Sequence, residues 1–419
     1  VSGLRLDTEQ RFTCQQCGRC CRRGWDIAVT PGEVAAYRKA DVGRLYRESA
    51  DAAEDATRDP FVPSAHSGVL RIRKRTDGAC GFLSAENRCR IHEQLGAAKK
   101  PLTCRLFPFR FHPGDGVPVV TASFCCPTVV ANQGASLASQ ARELDTLRRD
   151  WDHEHQDAAL ASCTLVSGRP LAGASLGTLR RTLRALLERA GPEGPPELRA
   201  NVARMAALVE DLARWRVTRL EDAAFAEYLE LIAGHAARSE RPLAPRPPAA
   251  LARLFLRGLL FVTLAARMQL VAARSWALRL RLVGLLLHCH GLGPAVAACD
   301  LGAARRARVE LRDPALAAIA RNYLRAQIET LGTGRWPVVD ELAIAIGQLN
   351  VACLLAAMRA GRAWRADADA EDLREALMEA ADLAHADDQG LLGRILVTLA
   401  AGVESLWLFA AGPQRAAER

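Results

Sequence analysis

The chain has 419 residues, half of them hydrophobic and a quarter charged, with a formal net charge of +9. That is an ordinary soluble globular composition with room for two or three domains. The basic side is almost all arginine, Lys39, Lys74, Lys99 and Lys100 being the only lysines. Together with abundant alanine this reads as a GC-rich genome and not as an adaptation to nucleic acid.

In chain order, the first feature is sulfur. Nine of the 13 cysteines precede residue 127: Cys14, Cys17, Cys20, Cys21, Cys80, Cys89, Cys104, Cys125 and Cys126. No apolar run of signal-peptide type precedes Cys14. A reducing compartment, the cytosol, is therefore the expected location, with thiols unpaired. Thr30-Pro31-Gly32-Glu33 has the form of a capped helix start, with an N-cap Thr, Pro in the first turn and Glu three residues after the cap. It predicts a helix over 31–40. Val69-Leu-Arg-Ile-Arg73 alternates like a strand, and residues 117–122 offer another. Glycines and prolines between them predict loops.

After Asn132 the pattern turns helical. Apolar residues recur at three- and four-residue spacing over 137–157, 176–189, 198–215 and 220–237. A proline-rich linker follows at 241–248. Further helices are predicted over 251–274, 276–288, 314–330, 338–360, 370–385 and 391–410. The longest uncharged stretch, 282–299, is interrupted by Gly, His and Pro, so a buried helix and turn are expected there and no membrane span. The expected fold is mainly α: a small irregular α/β cysteine-rich metal-binding module at 1–132, a helical region at 133–240, the linker at 241–248, and a helical C-terminal domain at 249–419.

Cys14-x-x-Cys17-x-x-Cys20 is a metal-ligand spacing. Two intervening residues let the backbone curl until successive sulfurs face one point, and Gly18 can take the positive φ this needs. Zinc ribbons use Cys-x-x-Cys pairs, and cubane clusters use runs of them. Spacing alone leaves zinc and a cluster both open. Disulfides fit poorly, because nine is odd and adjacent cysteines pair badly. Arg19, Arg22, Arg23, Arg88, Arg90 and Arg105 flank the cysteines and could donate N–H groups to sulfur, offsetting thiolate charge.

The set as a whole, Cys14 to Cys21, Cys80-Gly-Phe-Leu83, Arg88-Cys89-Arg-Ile91, Pro101-Leu-Thr-Cys104-Arg-Leu-Phe-Pro108 and Cys125, resembles the zinc- or iron-chelating CxxCxxCC family over about residues 11–130. Cys20-Cys21-Arg-Arg-Gly24-Trp25-Asp-Ile27-Ala-Val29 and the long helical remainder are similar to flagellin lysine N-methylases. That resemblance implies an iron–sulfur cluster (4Fe–4S before Zn), S-adenosylmethionine as methyl donor and a flagellin-like protein lysine as acceptor. The opening CxxCxxCC is tighter than the methylase pattern. No residue can be assigned to catalysis or to the donor, since no glycine-rich strand-to-helix loop is visible, and the alternative reading is a non-enzymatic zinc- or iron-chelating module with a helical partner-binding domain.

Other candidates read as structural. His288-Cys289-His290 ends an apolar helix, and Gly291-Leu-Gly293 follows as its cap. His153 and His155 fall on a solvated helix face. His92, beside Cys89, is a packed histidine before it is a ligand. Arg71-Ile-Arg-Lys-Arg75 lacks the interleaved aromatics of a nucleic-acid patch. Cys163, Cys299 and Cys353 are small core residues on helices or near their ends.

Overall fold

The computed structural model describes residues 3–23, 25–49, 59–64, 69–112, 117–154, 163–165, 170–171, 173–191, 194–213, 222–238, 306–332 and 337–386. The chain divides into two units, Val1–Phe111 with Val120–Ala159 and His112–Val119 with Leu160–Arg419. The architecture is mainly α, with two small three-stranded sheets near the N-terminus and a two-stranded sheet at 190–196.

The first unit contains, apart from the strand-end residues His112 and Val119, β1 (Arg5–Leu6), β2 (Ala28–Val29), α1 (Pro31–Lys39), α2 (Val42–Ser49), β3 (Phe61–Pro63), β4 (Leu70–Ile72), α3 (Arg90–Leu95), α4 (Leu102–Leu106), β5 (Phe109–His112), β6 (Val119–Ala122), α5 (Pro127–Val130) and α6 (Ala141–Glu154). Two three-stranded sheets run in the orders β1-β6-β5 and β2-β4-β3. In the second, Val29 faces Leu70 and Phe61 faces Ile72, antiparallel. The buried face of this second sheet joins Val34, Tyr37, Leu45, Tyr46, Phe82 and Ile91 in one core.

The expected start of α1 is present as a complete capping box. Thr30 Oγ1 accepts from the Glu33 N–H at 3.2 Å, and Glu33 Oε2 accepts from the Thr30 N–H at 3.0 Å. Glu33 does more than the pattern implied. Its other oxygen, Oε1, accepts from the Leu102 N–H at 2.7 Å, fixing the first turn of α4. One turn along, the Tyr37 hydroxyl donates to the Lys99 carbonyl at 2.8 Å. Helix α1 thus holds the segment that carries Lys100 and Cys104. Glu33→Ala is expected to cost about 1–2 kcal/mol, a lost cap and an orphaned N–H together. Hydrogen exchange at the Leu102 amide measures it; unchanged protection would refute the anchoring role.

The segment 71–75 is engaged within its own unit. Arg71 pairs with Asp26 at 2.9 Å, Arg73 donates to the Asp59 carbonyl at 2.8 Å, and Lys74 to the Arg23 carbonyl at 3.0 Å. Arg75 reaches the Leu83 carbonyl at 3.1 Å and Asp77 at 2.8 Å. These cations stitch loops together.

The second unit contains α7 (Gly173–Leu187), β7 (Ala190–Gly191), β8 (Gly194–Pro196), α8 (Leu198–Ala213), α9 (Asp222–Arg238), α10 (Pro314–Thr330), α11 (Val338–Arg362) and α12 (Ala370–Ala386). Each helix arises where the apolar spacing placed one. Helix α10 starts at Pro314 because Asp313 Oδ1 accepts from the N–H groups of Ala315 and Leu316 at 2.9 and 3.0 Å. Helix α11 is long and apolar enough to cross a membrane. It packs against α8, α10 and α12, as a core helix does. The expected helices over 251–274, 276–288 and 391–410, the linker, the 288–293 segment and Cys299 lie outside the described residues.

Helix α12 begins with a reciprocal cap. Asp369 Oδ1 accepts from the Glu371 and Asp372 N–H groups, at 2.9 and 3.0 Å, while Asp372 Oδ2 accepts from the Asp369 N–H at 3.1 Å. The Asp372 amide, then Arg365, hold the Asp369 carboxyl below its ordinary value. A depressed folded-state pKa adds stability that is present above the unfolded value, about 3.9, and is lost as pH falls through the folded value. Asp369→Asn is therefore expected to flatten the acid limb of helical stability below about pH 4. Circular dichroism against pH checks this, and an unchanged acid limb would refute it.

Candidate metal centre

The opening loop is fixed at its base. The Phe12 N–H donates to the Ala135 carbonyl at 2.9 Å, the Arg11 N–H to Asn132 Oδ1 at 2.7 Å, and Gln140 Nε2 to the Phe12 carbonyl at 2.9 Å. Beyond this base Cys14 and Cys17 are exposed. Gly18 takes φ of +69°, the curl its position called for. A Cβ there would meet the Asn87 carbonyl oxygen at 2.8 Å, so a side chain is excluded by both conformation and space. The chain then tightens into a 3-10 turn, Cys20–Arg22.

Three more segments converge on that turn. The Cys80 N–H donates to the Cys21 carbonyl at 2.7 Å, and Leu83 bridges to Cys89, which caps α3. Cys104 lies on α4. Cys125 and Cys126 precede α5, with Cys126 as its N-cap and Pro127 at its first position.

One cavity of about 50 Å³ collects these side chains. Cys14, Cys17, Cys20 and Cys21 line it from the opening loop. Cys89, Cys104, Cys125 and Cys126 line it from the later segments. Cys80 is not on the wall. It is buried in the adjoining core, against which Cys21, Cys89 and Cys104 also pack. His92, Lys100, Phe12 and Phe107 complete much of the lining.

Among the described residues no three His, Cys, Asp or Glu side chains are gathered closely enough to grip a single ion; the thiols ring a space instead. The Cys20 and Cys21 sulfurs are 4.0 Å apart and share a hydrogen bond. That bond, helped by Lys100, lowers Cys20 to about 6, while the same bond and burial push Cys21 up. Burial pushes Cys80 up to about 11 and raises Cys89, Cys104, Cys125 and Cys126. A set of soft sulfur donors around one cavity fits zinc or iron–sulfur chemistry, and coordination would displace the protons.

The flanking arginines do other work. Arg22 donates to Asn87 at 2.5 and 3.0 Å and approaches Asp77 at 3.9 Å. Arg88 and Arg90 pair with Glu93, and Arg105 with Asp150. Of the two readings these four arginines allow, sulfur partners or the chain's ordinary arginine, the observed partners are nearby carboxylates and an amide. Arg23 lies over the Trp25 ring, 5.7 Å from its centroid, and reaches the Cys125 carbonyl at 3.5 Å. Trp25 packs on Phe107, centroids 5.3 Å apart.

Sequence reasoning missed Lys100. Burial disfavours its charge, but the negative potential of Cys104, Cys14, Cys89 and Cys20 outweighs this and raises its pKa. Its scarcity among so many arginines, just before Pro101-x-x-Cys104, was the available signal. Elsewhere, Cys353 is buried on α11 and pushed up to about 12 by burial, an inert core thiol. Cys163 is not on a helix; it directly precedes the Thr164–Pro170 bridge.

No curated protein and no solved structure matches the chain. Residues 13–126, the segment carrying all nine clustered cysteines, match the family model CxxCxxCC, described as a "Putative zinc- or iron-chelating domain".

Proposed function

We propose that the first unit is a thiolate metal-binding module and that its occupant is an iron–sulfur cluster. The observation that carries this is the single cavity ringed by eight cysteines from four separate segments. A lone ion in a closed tetrathiolate site leaves no void. Here the space that the thiols line together with other side chains is about 50 Å³, whereas one water-sized sphere needs roughly 10–15 Å³. A group of several atoms suits that space better than one ion. The lining thiols would hold it, and the buried Cys80 would support them from behind. When bound, such a cluster supplies one-electron chemistry and a cross-link between segments.

Anaerobic purification with iron, sulfide and zinc analysis tests this. A brown protein with broad visible absorption and matching iron and sulfide is expected. A colourless protein with stoichiometric zinc would overturn the cluster while keeping chelation, and a metal-free protein would overturn both. Methyl transfer from S-adenosylmethionine to a protein lysine is the finer reading. It rests on the resemblance around Cys20 to Val29. Label transfer from S-adenosylmethionine to candidate acceptors tests it, and no transfer from cluster-loaded protein would overturn it.

A further inference from the structure

The cavity wall carries one ammonium group. Lys100 is half-buried there, among Cys14, Cys20, Cys89 and Cys104. Among the described residues no carboxylate lies within ion-pair distance of it. The nearby arginines Arg22, Arg88, Arg90 and Arg105 are by contrast committed to Asn87, Asp77, Glu93 and Asp150. The backbone of Lys100 is held on both sides. Its N–H donates to the Ala97 carbonyl at 3.1 Å, Tyr37 grips the preceding carbonyl, and Glu33 grips the Leu102 amide after Pro101. A half-buried cation on a fixed root, facing sulfur and no carboxylate, calls for an anionic occupant. A metal bound by several thiolates is one.

We infer that Lys100 is the counter-cation of the metal centre, offsetting the net negative charge of the thiolate-bound group and thereby setting its affinity and its reduction potential. This rests on the metal-binding reading above. Lys100 is a positioning residue; it acts on the centre through charge and takes no place among the ligands. A fixed positive charge favours the more negative, reduced state, so removing it lowers the potential.

The test compares anaerobically purified wild-type protein with Lys100→Met, Lys100→Gln, Lys100→Arg and the neighbouring exposed Lys99→Met. As-isolated metal is titrated out with a chelator, and the midpoint potential is measured on iron-loaded samples. Loss of an outer partner typically costs about 10- to 100-fold in metal affinity. Lys100→Met and Lys100→Gln are expected to show that loss and a more negative potential, with circular dichroism unchanged. Lys100→Arg and Lys99→Met are expected to match wild type. Wild-type affinity and potential in both neutral variants would overturn the role of Lys100, as would Lys100→Arg behaving like Lys100→Met. A metal-free wild-type protein would overturn the metal-binding reading and the role of Lys100 together.

Discussion

Cys104→Ser is expected to lower the bound metal of anaerobically purified protein at least about tenfold, because a hydroxyl does not replace a soft thiolate ligand. The position of Cys104 is imposed by other elements of the first unit. Helix α4 is set by Glu33 at its first turn and by Tyr37 just before it. Leu102 and Leu106 on the same helix are buried with Leu147 of α6. The sulfur therefore cannot move away to be replaced by a neighbour. Cys353→Ser, in the core of the second unit, is the matched control and should leave metal content unchanged. Structural thiolate–metal sites contribute on the order of 10 kcal/mol to folding. Chelation should accordingly unfold the first unit while the helices of the second persist, giving two separated transitions in circular dichroism. Equal metal in Cys104→Ser and wild type would remove Cys104 from the ligand set.

Gly81→Ala is expected to destabilise the first unit strongly. A Cβ at Gly81 would lie 2.1 Å from Tyr46 Cε2 and 2.9 Å from the Arg73 carbonyl oxygen. Tyr46 is 1% exposed and meets Phe82 edge-on at 5.5 Å, so the ring has no room to retreat. Overpacking of this kind costs about 3 kcal/mol. The strain falls on the loop between Cys80 and Phe82, so metal retention should decline with stability. Urea denaturation measures the first effect and metal analysis the second. A midpoint equal to wild type would mean that the loop and α2 separate freely, against the packing described.

Local signals were legible in the sequence where the chain acts on its own neighbours. The capping box at Thr30 and Glu33, the curl at Gly18, and the starts of α10, α11 and α12 all depend on residues a few positions apart. Leu137 shows the limit. It opens the apolar periodicity, yet the chain makes a 3-10 turn first and α6 starts at Ala141. The gathering of cysteines was foreseeable as chemistry but not as geometry. That Cys80 lies in the core behind the wall follows from tertiary packing with Tyr46 and Phe82, which no spacing encodes. The same holds for the second hydrogen bond of Glu33 and for Lys100. The arginines next to cysteines looked like charge partners because sequence gives adjacency but not direction.

The hydrogen bonds that join Arg11 and Phe12 to Asn132, Ala135 and Gln140 bear on how this region can be excised. A fragment ending at Asn132 would discard two of the three clasps and leave Cys14 and Cys17 on a free tether. Carrying the cut to Glu154 keeps the clasps and retains Leu147, whose side chain buttresses the helix bearing Cys104.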